Sequence, residues 1–290
     1  MNLNSLLQDD IIKIILSFAN RDTCIRAVLL NGSRVNKNAP VDKMQDYDVV
    51  FFIKDLEKND YRIDDNWIYN YFGNPVIVQQ NDNEDNSYIF LMQFADFRID
   101  LSFESLKKIE QQAKQDSLSM WLLNKDNTAP KLPEPNESSY FIQRPDEKTY
   151  NATINEAWWI QPYIAKGIWR DEFPYVRRVY DVYLMKAIRA LIDWDIAYNY
   201  NWKVNLGKAG KWYKNYLNKK EYQEFIELHS TTNYEQIWNS LEKAGNFIRK
   251  VGSRVADKLN YQYPFLDDER VRVYLSNIRE ELNKYQYLKW

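Results

Sequence analysis

Cysteine and histidine are nearly missing from this 290-residue chain, which has Cys24 and His229 as the single example of each. One cysteine excludes a disulfide framework, and one of each excludes Cys/His zinc sites and most Cys–His nucleophilic pairs. Any metal must therefore sit on carboxylates. Glycine is scarce too, at 7 residues, while 45% of the chain is hydrophobic and 16% aromatic, so the chain is neither disordered nor of low complexity. No charge of one sign prevails. The 39 basic and 41 acidic residues leave a formal charge of −2, so no global positive field gathers nucleic acid or an acidic membrane surface. No stretch approaches the ~20 apolar residues of a membrane span. The first twenty residues carry Asp9 and Asp10 inside their apolar pattern, without the basic leader and long apolar run of a signal peptide. The expectation is a cytoplasmic protein with no nucleic-acid and no membrane partner.

The length favours two domains. Leu7, Ile11, Ile14, Ile15 and Phe18 recur at helical spacing and predict an amphipathic helix over residues 5–18. Residues 25–30, 47–53, 75–79, 88–94 and 97–103 read as strands, being short, apolar and partly β-branched or aromatic. The last two are separated only by Ala95 and Asp96, which predicts an antiparallel hairpin. A mixed sheet of about five strands flanked by helices accounts for this half. Residues 124–136 concentrate proline, asparagine and charge and mark the junction, giving domains over 1–135 and 136–290. Beyond it, residues 152–168, 175–198, 219–229, 234–259 and 269–284 have few helix breakers and predict an all-helical bundle. The fold class is α+β.

The residues that carry chemistry form one constellation. Asn31-Gly32-Ser33-Arg34 follows the first strand, Asp46-Tyr47-Asp48 opens the second, and Asp100 interrupts the apolar run of the last. Alternate strand residues share a face, so Asp46 and Asp48 point the same way. Two such carboxylates repel unless a cation neutralises them. Sheet pairing can add Asp100, and three carboxylates with phosphate oxygens and water make the hard oxygen shell that magnesium prefers. Two ions can steady the attacking and leaving oxygens of an in-line displacement at phosphorus. Arg98 shares the strand face of Asp100 and is a competing partner for it. The Gly-Ser turn, lacking bulk after a strand, can present N–H groups and a hydroxyl to phosphate, with Arg34 adding charge.

The segment from Leu29 through Asp55 resembles the catalytic segment of the streptomycin (aminoglycoside 6-) adenylyltransferases of the nucleotidyltransferase superfamily. The likeness rests on Gly32-Ser33-Arg34, Gln45-Asp46-Tyr47-Asp48 and Ile99-Asp100-Leu101. It continues through Leu123-Asn124-Lys125-Asp126, Asn155-Glu156 with Trp158, Lys166-Gly167, Leu206-Gly207-Lys208 and Tyr263-Pro264, nearly the whole chain. The resemblance implies a nucleotidyltransferase-type catalytic domain over 1–135 and an acceptor-binding domain over 136–290. It implies transfer of AMP from ATP to a hydroxyl of an aminoglycoside, conferring antibiotic resistance; a monomer or homodimer is expected. Gly32, Ser33 and Arg34 would cradle the triphosphate, joined by Lys208 and Lys211. Asp46, Asp48 and Asp100 would hold Mg2+, as two ions, and Glu156 would be the general base, its pKa raised by partial burial. The implied acceptor is a small polycation, for which Glu156, Glu172, Asp181, Asp193 and Asp195 would supply negative charge. Arg177-Arg178 is a departure, a basic pair in place of an apolar-acidic one.

Two other readings stand beside this. One keeps the chemistry with another acceptor, such as a lincosamide or a protein. The other makes the chain a non-catalytic nucleotide-binding module, which three intact aspartates oppose. A two-carboxylate glycosidase leaves Gly32-Ser33 unexplained.

Overall fold

The computed structural model describes residues 9–229 and 232–287. The chain divides into two compact units, Met1–Ser139 and Tyr140–Trp290.

The first unit opens with α1 (Asp10–Arg21), started by Asp9, whose carboxylate accepts from Ile11 N at 2.9 Å and Ile12 N at 3.2 Å. Such a cap satisfies amides that the first helical turn leaves unpaired. Ile12, Ile15, Phe18 and Ala19 face the core. Ser5 and Leu7, expected on this helix, lie outside the described residues.

Among the described residues six strands follow: β1 (Ile25–Asn31), β2 (Tyr47–Ile53), β3 (Ile77–Asp82), β4 (Tyr88–Gln93), β5 (Arg98–Ser105) and β6 (Ser119–Asn124). They form one sheet in the order β3-β4-β5-β2-β1-β6. Only β2 and β5 run parallel; the β4–β5 pair is antiparallel, as its short connection predicts. The expectation of about five strands missed β6, which is half-buried along most of its length and lacks clean alternation. Short helices α2 (Asn66–Phe72) and α3 (Ile109–Ala113) complete the unit. One sheet face carries the main core, where Phe18 stacks on Trp67 at 5.4 Å between ring centres beside Phe51 and Phe103. The other face carries a smaller cluster of Ala27, Leu29, Val50, Phe52 and Ile109. With both faces covered, β2 is buried at every position except Asp48.

The second unit is helical: α4 (Glu147–Trp169), α5 (Phe173–Arg178), α6 (Met185–Asn199), α7 (Tyr213–Tyr216), α8 (Lys219–Ile226), α9 (Tyr234–Leu259) and α10 (Phe265–Tyr287). In α9, Ile237, Leu241, Ala244, Ile248, Val251 and Val255 recur at three- and four-residue spacing and are buried. Asn233 caps its start, and Asn260, at φ 59°, ends it in the left-handed conformation common after a helix. A buried carboxylate binds α9 to α10. Asp268 accepts from Arg249 at 2.6 Å, Arg272 at 2.5 Å and the Tyr263 hydroxyl at 2.8 Å. The single helix expected over 175–198 is instead α5 and α6 joined by a π-helical turn, Val179–Leu184. There the Tyr180 hydroxyl donates to Leu228 O at 2.6 Å and Ser240 O at 3.2 Å. Among the described residues, no helix is long and apolar enough to cross a membrane.

Candidate active site

Strand register builds a polar row across four adjacent strands. Ser119 on β6 lies opposite Asn31 on β1, Asn31 opposite Asp48 on β2, and Asp48 opposite Asp100 on β5. Residues directly opposite in a sheet point to one face, so these four side chains stand side by side at one end of the sheet. The Ser119 hydroxyl donates to Asn31 Oδ1 at 2.8 Å, which ties the uncharged half together. The other half holds Asp48 and Asp100, with Asp46 in the loop that enters β2.

Gly32 begins a 3₁₀ turn (Gly32–Val35) at φ 76°, where a side chain is strained. Its N–H donates to Leu118 O at 2.9 Å, and a Cβ added to it would overlap the Asp48 carboxylate. The glycine is thus needed twice, for backbone conformation and for room beside Asp48. Ser33 follows in the same turn, and its carbonyl accepts from Gln45 Nε2 at 3.3 Å.

Arg34, expected to cradle the triphosphate, is instead held by the loop it faces. Its Nε donates to Asp46 O at 3.1 Å and its Nη2 to Gln45 O at 2.8 Å, and the guanidinium lies 3.4 Å above the Tyr47 ring. Asp9 sits 3.6 Å from Nη1 and also accepts the Tyr47 hydroxyl at 2.9 Å. The α1 cap, Arg34 and the start of β2 form one brace, and the guanidinium fixes where Asp46 and Asp48 begin.

The carboxylates feel one another. Burial pushes Asp48 up to about 6, aided by the charges of Asp100 and Asp46, while Arg98 pulls it down. Asp116 adds a further upward push. Nothing in the sequence pattern singles out Asp116, since it lies in a loop where neither strand nor helix period applies. Its carboxylate accepts from Leu118 N at 2.8 Å, in the segment that receives the Gly32 N–H. The Arg98 guanidinium grips Asp100 with Nε at 2.7 Å and Nη2 at 2.8 Å. Among the described residues, no group of three or more His, Cys, Asp or Glu is disposed to hold a metal ion. The donor set nevertheless suits a hard cation. It is all oxygen, its carboxylates raise one another's affinity for positive charge, and a guanidinium already serves as counter-charge.

The other predicted residues belong to the second unit. Glu156 is exposed on α4, not partly buried as expected, and Trp159 one turn on is 58% exposed. Lys208 and Lys211 are exposed around a 3₁₀ turn (Lys208–Gly210) in which Ala209 and Gly210, like the preceding Gly207, have positive φ. Lys211 Nζ lies 5.1 Å from the Trp212 ring. Of the acids expected to attract a polycation, Asp195 is buried and paired with Arg254 and Lys258, and Asp181 is paired with Arg177 at 2.7 Å. Glu156 and Glu172 remain exposed.

Burial pushes Asp193 up to about 6, although the Tyr213 hydroxyl donates to it at 2.5 Å. A carboxyl whose folded pKa lies above its unfolded value near 3.8 takes up a proton on folding between those values, so it favours folding as pH falls. Wild type should therefore gain stability relative to Asp193→Asn as pH drops from 7 to 4, by up to about 3 kcal/mol. Urea titrations of both proteins across that range check this, and a constant difference would refute it.

A family model described as streptomycin adenylyltransferase matches residues 7–278. An aminoglycoside 6-adenylyltransferase of Campylobacter jejuni is 32% identical over 269 residues, covering 90% of this chain and 92% of that protein. A protein of the same name from Bacillus subtilis is 30% identical over 270 residues, covering 90% and 94%. The crystal structure of an aminoglycoside 6-adenyltransferase from Bacillus subtilis aligns with 92% of this chain and 96% of its own, at 26% identity and a TM-score of 0.47. With a family match spanning almost the full length and relatives matched over nine-tenths of it, this chain belongs to the streptomycin adenylyltransferase family.

Proposed function

We propose that this protein transfers AMP from ATP to a hydroxyl of an aminoglycoside, with the first unit catalytic and the second holding the acceptor. The observation that carries the reading is the facing of Asp48 and Asp100 across the parallel β2–β5 pair, with Gly32 packed against Asp48, in a member of an adenylyltransferase family. Asp46, Asp48 and Asp100 would hold Mg2+. When bound, it would polarise the α-phosphate and neutralise charge on the departing pyrophosphate. Gly32 and Ser33 would meet phosphate oxygens at the 3₁₀ turn, Arg34 would position the aspartates through the Gln45 and Asp46 carbonyls, and the exposed cations Lys208 and Lys211 would bind the triphosphate. The acceptor oxygen attacks the α-phosphorus, the bond from that phosphorus to the bridging oxygen of pyrophosphate breaks, and Glu156 takes the hydroxyl proton. Relatives bearing the name aminoglycoside 6-adenylyltransferase favour an aminoglycoside over a lincosamide or protein acceptor.

Exposed Glu156 beside exposed Trp159 suits a cationic, ring-built acceptor, with a carboxylate for the charge and an indole face for the ring. Glu156→Gln keeps shape and hydrogen bonding but cannot take a proton. Because general-base catalysis contributes roughly 10²–10⁴-fold, kcat should fall by about that factor with ATP affinity little changed. Steady-state kinetics with calorimetry of ATP binding checks this. Unchanged kcat removes Glu156 from the chemistry, and a loss confined to acceptor affinity makes it a binding contact.

A further inference from the structure

Arg98 brings positive charge to the carboxylate row. It alternates with Asp100 on β5 and so shares its face, and its fork engages both oxygens of that carboxylate. Its Nε is also 3.9 Å from Asp46 Oδ2. Both partners are carboxylates assigned above to the divalent cation, and this inference rests on that assignment. Arg34, by contrast, is 10% exposed and is bonded to main-chain carbonyls, so moving it would orphan them. The Arg98 side chain is 39% exposed, and its partners are carboxylates. A guanidinium fork fits a phosphate as well as a carboxylate, so Arg98 can exchange one for the other with little loss of hydrogen bonding.

We infer that Arg98 is a built-in counter-ion that competes with the divalent cation for Asp100 and Asp46, and that the triphosphate releases it. A divalent ion alone then binds weakly, because it must displace the guanidinium into water. With ATP present, the phosphates receive the guanidinium while the carboxylates receive the ion. Arg98 thereby couples cation binding to nucleotide binding, and each strengthens the other by the same factor.

The test is Mn2+ binding by calorimetry to metal-stripped wild type, Arg98→Met and Arg98→Lys, with and without α,β-methylene ATP. Without nucleotide, Arg98→Met should bind Mn2+ about tenfold or more tightly than wild type, since removing an opposing charge within a few ångströms changes a carboxylate's cation affinity on that scale. Arg98→Lys, which cannot grip Asp100 bidentately, should fall between. The ATP analogue should tighten Mn2+ binding more in wild type than in Arg98→Met. Stripped Arg98→Met should melt below wild type, with Mn2+ restoring more of its Tm. Adding Asp100→Asn to Arg98→Met should remove the gain in affinity. Equal or weaker Mn2+ binding by Arg98→Met overturns the role of Arg98 and leaves the aspartate assignment standing, provided Mn2+ binds wild type. Failure of Mn2+ to bind any of the three proteins, with or without the analogue, overturns both. If Arg98→Met does not fold, Arg98→Lys decides alone, and affinity equal to or below wild type refutes the inference.

Discussion

Asp48→Asn is expected to lower turnover by about three orders of magnitude or more, because metal-assisted charge stabilisation supplies several kcal/mol in reactions of this kind. Its Tm should stay level or rise. Asp48 is partly buried, faces Asp100 and is raised by both neighbouring carboxylates, so the amide removes a repulsion the folded state tolerates. This pairing of lost activity with kept or gained stability separates a functional carboxylate from a structural one. Asp268 marks the opposite case, since it is fully buried and accepts from Arg249, Arg272 and Tyr263. Kinetics and thermal melts on the same Asp48→Asn preparation check both halves. Activity above about a tenth of wild type would be incompatible with a cation on Asp48.

Gly32→Ala is expected to be nearly as damaging, for a steric reason. A positive φ costs a non-glycine residue roughly 1 kcal/mol, and the new methyl would overlap the carboxylate of Asp48. Relief requires Asp48 to rotate off its line with Asp100 or the 3₁₀ turn to lift from Leu118 O, and either change moves groups assigned to the reaction. Misplacement by about an ångström can cost 10²-fold in rate, so turnover should fall by at least about that factor. Stability should drop by about 1–3 kcal/mol. Gly73 is the internal control, since it also has positive φ but has nothing within 4 Å of an added Cβ. Gly73→Ala should lower stability modestly and spare turnover, and equal kinetic losses in the two variants would refute the steric account.

Much of this arrangement was legible before the structure. The run Tyr47–Ile53 is buried through both faces of a central strand and carries a continuous apolar signal broken only by Asp48. The run Tyr234–Leu259 keeps one apolar stripe along its whole length, so its limits were legible too. Alternation along β5 put Arg98 beside Asp100, and the two are ion-paired. Register supplied what period could not. The facing of Asp48 and Asp100 depends on β2 and β5 being parallel neighbours, a relation between segments some fifty residues apart. β6 escaped because a half-buried edge strand is under weak pressure to alternate. The π turn escaped because one wide turn hardly disturbs a helical period. Arg34 was legible as a basic residue after a Gly-Ser turn, but no sequence pattern puts its guanidinium on the carbonyls of Gln45 and Asp46. Asp195 shows the limit of counting charge, since its partners Arg254 and Lys258 lie about sixty residues away.

Adenylylation of an aminoglycoside by this chain can be followed directly. Its most direct test incubates the purified protein with ATP, Mg2+ and each member of a panel of aminoglycosides and lincosamides, following pyrophosphate release and the mass of the acceptor. Stoichiometric pyrophosphate and a one-AMP mass increase on an aminoglycoside such as streptomycin are expected, both lost in Asp48→Asn. ATP binding without pyrophosphate release for any aminoglycoside, or AMP transfer confined to a lincosamide, would contradict this assignment.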